Sequence, residues 1–104
     1  MECGSGDYRE LDAEVAGAEH VEFIDLSRIL ADEYQKKGPD VVKTFFTIDH
    51  LHTNPTGADF NAAAVVSGLK TLKGDPFRKY LSPQGRAVAP DKGWRPGSVC
   101  GRIR

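Results

Sequence analysis

Asp49 and His52 stand three residues apart in the polar run Asp49-His50-Leu51-His52-Thr53-Asn54. A carboxylate at that spacing in a turn accepts a hydrogen bond from imidazole Nδ1. That bond fixes the tautomer and leaves Nε2 free as a base. An imidazole held in this way takes the proton of a serine hydroxyl attacking an ester carbonyl, then returns it to the leaving alcohol. The carboxylate stabilises the imidazolium formed in between. The spacing alone is not diagnostic, since Asp-x-x-His is common and a capped turn without chemistry explains it equally. A second reading takes Asp49, His50 and His52 as metal ligands. The third histidine, His20, is about thirty residues away with no cysteine beside it, so neither a metal nor another cofactor is expected.

The pair needs elements to hold it. Downstream, Pro55 suits the first residue of a helix capped by Thr53 or Asn54. The spacing of Ala58, Ala62, Val65, Val66, Leu69 and Leu72 predicts its apolar face. Upstream, Pro39 opens a short helix through Val41, Val42 and Phe45. Before it, a helix from about Arg28 to Lys37 follows Ser27 as N-cap and ends at Gly38. Val21-Glu22-Phe23-Ile24-Asp25-Leu26 is β-branched and aromatic, which predicts a strand. Tyr8, Leu11 and Val15 recur at helical spacing up to Gly17. This alternation predicts an α/β fold with a parallel sheet. One strand makes no sheet and leaves unpaired edges, so the chain is expected to be incomplete or to assemble with something.

Three regions follow: a frayed N-terminus over 1–7, a folded part over 8–81, and an irregular Pro- and Arg-rich tail over 82–104. After Lys73, the prolines at 76, 83, 90 and 96 punctuate Arg78, Lys79, Arg86, Lys92, Arg95, Arg102 and Arg104. A short helical turn fits near Phe77 to Leu81. With no periodic face, these cations predict a solvated tail. Net charge is −1 over 104 residues, which argues against nucleic-acid partners and anionic membranes. No apolar run approaches a membrane span, and the first residues lack the pattern of a signal peptide. Cys3 and Cys100 allow one disulfide in an oxidising compartment, free thiols being the simpler reading.

The run Phe46-Thr47-Ile48-Asp49-His50-Leu51-His52-Thr53-Asn54-Pro55-Thr56-Gly57-Ala58 resembles the last conserved block of the SGNH (GDSL-type) esterases. More narrowly, it is similar to the rhamnogalacturonan acetylesterase branch. The resemblance covers about residues 8 to 72. It implies the C-terminal part of a three-layer α/β/α, flavodoxin-like fold with an incomplete sheet. It also implies a serine esterase that deacetylates a carbohydrate, with an acetylated polysaccharide as the parent enzyme's substrate. His52 matches the family's general base and Asp49 the aspartate that orients it. His50 matches a histidine common in the branch. Secretion is implied by the resemblance alone.

The chain departs from the family at the nucleophile. The Gly-Asp-Ser block has no counterpart, because Gly6-Asp7 is followed by Tyr8, and the blocks that supply the oxyanion hole are absent. Ser5, Ser27, Ser67, Ser82 and Ser98 remain, and none sits in a nucleophile-like context. The isolated chain is therefore expected to be inactive. The alternative is a catalytically inactive truncated remnant or a partner-dependent interaction module.

Overall fold

The computed structural model describes residues 6–103. Among these, α1 (Gly6–Ala18), α2 (Leu26–Lys37), α3 (Pro39–Lys43), α4 (Pro55–Leu69) and α5 (Pro83–Ala87) are joined by loops, with a 3-10 turn at Arg78–Tyr80. No strand occurs among the described residues. The expected α/β fold, and with it the flavodoxin-like three-layer sheet, is overturned. Residues 21–25 do run without helix, but a strand exists only through a ladder, and no second strand lies alongside. The segment bends instead, with Leu26 N donating to Ile24 O at 2.9 Å.

Helix α2 begins earlier than its sequence suggests. Asp25 is the N-cap, its Oδ1 accepting from Arg28 N at 3.4 Å, whereas Ser27 lies inside the helix. The C-terminal end is conventional: Gly38 takes φ 85° and its N–H returns to Tyr34 O at 3.0 Å. A non-glycine residue is strained at that angle. Pro39 then starts α3 directly.

Helix α4 packs on α2 through small residues, not through the apolar face expected. Gly57, Ala64 and Gly68 are its buried positions, while Ala58 and Ala62 are exposed and Val65, Val66 and Leu69 half-buried. Burial here follows close approach. A Cβ on Gly57 would meet Phe45 O at 2.6 Å, and one on Gly68 would overlap the Ile24 side chain. Larger residues on this stripe would force α4 away from its neighbours. Between the helices, the rings of Tyr34, Phe45 and Phe60 cluster with centroids 4.8–5.9 Å apart. Tyr34 Oη donates to Asn61 Oδ1 at 2.6 Å, which satisfies the buried hydroxyl.

The segment after residue 82 is not a solvated tail. Ser82 caps α5 by accepting from Gly85 N at 3.1 Å, with Pro83 in the first turn. Beyond it the chain folds back over α4 and α2. Ser67 Oγ donates to Ala89 O at 2.9 Å, and Asp91 N donates to Ser67 O at 3.1 Å. Trp94 Nε1 donates to Cys100 O at 3.1 Å. Cys100 is buried and disulfide-bonded rather than a free thiol in a ragged end. Cys3 lies outside the described residues.

A buried group of charges fastens this segment. Arg9 forks onto Asp25 with bonds of 2.8 and 2.9 Å, and its Nη2 also donates to Gly101 O at 2.5 Å. Arg28 donates to Asp32 at 3.0 Å, to Gly93 O at 3.2 Å, and to Asp91. Ser98 Oγ donates to Asp32 Oδ2 at 3.1 Å. Burial works against the Arg28 charge, but the bonds to Asp91 and Asp32 and the field of Asp25 outweigh it. The guanidinium pKa is therefore raised above its ordinary value.

Candidate functional site

The loop between α3 and α4 carries both predicted site residues. Asn54 closes its base. Its Nδ2 donates to Thr44 O at 2.7 Å and to Thr47 Oγ1 at 2.9 Å, and its N–H donates to Phe45 O at 2.8 Å. The same side chain caps α4, Oδ1 accepting from Gly57 N at 2.9 Å. One asparagine therefore fixes where α3 ends and where α4 begins. The residues between are left as a compact, outward-looking loop.

Within it, Asp49 organises the turn. Its Oδ1 accepts from Leu51 N at 2.8 Å and from His52 N at 2.7 Å, an arrangement that bends the backbone back on itself. Its second oxygen, Oδ2, lies 2.7 Å from His52 Nδ1. An ionised carboxylate only accepts, so this bond puts the imidazole proton on Nδ1 and leaves Nε2 with its lone pair. The backbone N–H of His52 is the largest influence lowering the Asp49 pKa, followed by the His52 side chain and the Leu51 N–H. The carboxylate is thereby kept charged and fixed in position at neutral pH.

The dyad is open. The side chains of His52 and Asp49 are 76% and 43% exposed. Ile48 and Leu51, on the same loop, are 92% and 78% exposed despite being apolar. Beside the loop is an open pocket of about 830 Å³, walled by Tyr34, Pro39, Val42, Phe46 and Ile48 among others. Asp49 and His50 line it, and His52 does not. His50 thus shares the pocket with Asp49, while the free nitrogen of His52 is presented to solvent.

Three of the serines weighed as nucleophiles have other roles. Ser67 and Ser98 donate to Ala89 O and Asp32. Ser82 caps α5 and Ser27 is exposed on α2. None of them bonds to His52 among the described residues, and Ser5 lies outside these. No group of three His, Cys, Asp or Glu side chains converges to ligate a metal among the described residues. Two features of the site region were not read from the sequence. Asn54 was visible as a cap but not as the clasp of the loop. The Arg28 cluster had one signal, the i,i+4 spacing of Arg28 and Asp32. Compared with known proteins, the chain matches no family model, no curated protein and no solved structure.

Proposed function

We propose that Asp49 and His52 are the acid–base half of a serine esterase site acting on an acetylated carbohydrate, with the serine and the oxyanion donors supplied from outside the described residues. The observation that carries this reading is the 2.7 Å bond from His52 Nδ1 to an Asp49 carboxylate whose other oxygen is already held by two backbone N–H groups. The aspartate cannot swing away, so the imidazole keeps one tautomer and one direction. His52 Nε2 would take the serine proton as the oxygen attacks the acetyl carbonyl, then deliver it to the departing sugar hydroxyl. A second transfer, from water, would release acetate from the acyl-enzyme. The substrate class rests on the resemblance of residues 46–58 alone.

A partner-dependent module is the second reading, and the exposure of Ile48 and Leu51 favours it. Large apolar side chains left in water on the loop that carries a functional pair are characteristic of a surface that another element covers. The test recovers the protein from its source with an antibody against residues 49–72. It then assays the recovered material for hydrolysis of an acetyl ester and for labelling by a fluorophosphonate. Turnover that disappears in His52→Ala supports the esterase reading. Recovered material that neither turns over nor labels overturns it. The chain alone is expected to be inactive, because no serine among the described residues bonds to His52.

A further inference from the structure

Cations that are scattered along the sequence converge in the fold. Between the end of α4, the 3-10 turn and α5 lies a cavity of about 930 Å³, and Lys70, Arg78, Lys79 and Arg86 all line it. Asp75 is the one carboxylate in its wall. None of these cations forms an ion pair among the described residues. Lys70 Nζ is held over the cavity by backbone carbonyls, donating to Arg86 O at 3.1 Å and to Val88 O. Lys79 Nζ sits 5.2 Å from the Tyr80 ring centroid. Asp75 Oδ1 is buried without a hydrogen-bond partner, and Asp75 forms no ion pair among the described residues.

Two arginines elsewhere in the molecule are matched, whereas Arg95 and Arg102 form no ion pair among the described residues. Arg9 and Arg28 each face aspartates. Here four positive charges stand against one negative in a single concavity, within a chain whose net charge is −1. Uncompensated like charges held together raise the local potential and repel one another until an anion binds. The cavity is of the size that small-molecule sites have, which suits a compact ligand rather than an extended polymer. Guanidinium groups bind phosphate oxygens through paired donors, and a lysine adds a point charge.

We propose that this cavity binds a compact polyanion carrying clustered phosphate groups, with Arg78, Lys79 and Arg86 as the contacting side chains and Lys70 as a fixed charge at the wall. The inference is independent of the Asp49–His52 reading, since the two sites share no residue.

The test is calorimetric titration of the full chain with inorganic tripolyphosphate at low ionic strength. The expected result is saturable one-to-one binding, with orthophosphate about tenfold weaker or worse. Arg78 and Arg86 are exposed, so R78Q/R86Q should keep its fold, checked by circular dichroism, and bind about tenfold more weakly. K43Q/R95Q removes the same charge elsewhere and should bind as the parent does. D75N removes the opposing carboxylate and should bind more tightly. Absence of saturable binding, or equal weakening in K43Q/R95Q and R78Q/R86Q, overturns the proposal. Should R78Q/R86Q fail to fold, K79Q in the same titration decides it, unchanged affinity again overturning the site.

Discussion

Two regions of this molecule pair an aspartate with a nitrogen cation or its precursor at nearly the same distance, and they do opposite things. In the α1–α2 cluster, Arg9 meets Asp25 at 2.8 Å and Arg28 meets Asp32 at 3.0 Å, with both guanidinium side chains at most 7% exposed. In the α3–α4 loop, His52 meets Asp49 at 2.7 Å with the imidazole 76% exposed. The partner's chemistry and the burial separate them. A guanidinium does not give up its proton, and once buried with its acceptors it becomes a fastener. An imidazole exchanges its proton near neutral pH, and an exposed one can meet a substrate. The same carboxylate geometry thus serves structure where water is excluded and reactivity where it is not.

The comparison breaks most visibly at the buried end. Arg28→Ala would leave Asp32 and Asp91 without their cation, and Asp25 without one of its two. A loss of about 3–5 kcal/mol is expected in denaturant unfolding, together with loss of exchange protection across residues 91–101. A result within about 0.5 kcal/mol of the parent would mean that water compensates the aspartates and that the cluster is not a fastener. Next in size, Gly57→Ala drives a Cβ into the Phe45 carbonyl at the root of the loop. A thermal melt should report a cost of about 1–3 kcal/mol. Asn54→Ala removes the cap and both side-chain bonds across the loop base. About 1 kcal/mol is expected from the cap, with amide exchange rising selectively between Thr44 and His52.

The exposed pair should answer differently. Asp49→Asn ought to leave global stability essentially unchanged. Nitrogen shifts of the His52 ring should nevertheless move from a single Nδ1–H tautomer towards a mixture, and an unchanged tautomer would mean that Asp49 does not orient the ring. The smallest effect is a pH dependence. The Asp49 carboxyl is lowered from its ordinary 3.8 when folded, so its ordering of the loop is fully present above that value. That ordering is lost as pH falls through the lowered folded value. The amide shifts of Leu51 and His52 should therefore titrate with a midpoint below 3.8, and a midpoint at or above it would contradict the bonding described.

Much of this arrangement was legible in local sequence. Pro39, Gly38 and Pro55 mark helix ends through backbone restrictions that act within one or two residues. Asn54 as cap and the Asp49–His52 spacing are equally local. What was not legible depended on distant contacts. Val21 to Leu26 has strand-forming residues, yet strand formation needs a neighbour that no short window reveals. The apolar pattern of α4 points to Val65 and Leu69, whereas the buried stripe is set by how closely α2 and Phe45 approach Gly57 and Gly68. The tail's cations give no periodic signal, because their grouping comes from the fold-back over α4 and the turns at Asp75 and Ser82. Asp91, the acceptor for Arg28, lies 63 residues from it along the chain.

The bond from Arg9 to Gly101 spans 92 positions, and this has a kinetic meaning. Closing so long a loop carries an entropic cost that is met before the contact gives anything back. The helices can form early from neighbouring residues, but Arg9 finds its last acceptor only when residue 101 has left the ribosome. Folding of this unit should therefore finish in a late step that joins α1 to the segment around residue 101. A chain stalled before that point would hold Arg9 and Arg28 without several of their acceptors, and would be correspondingly open to proteases.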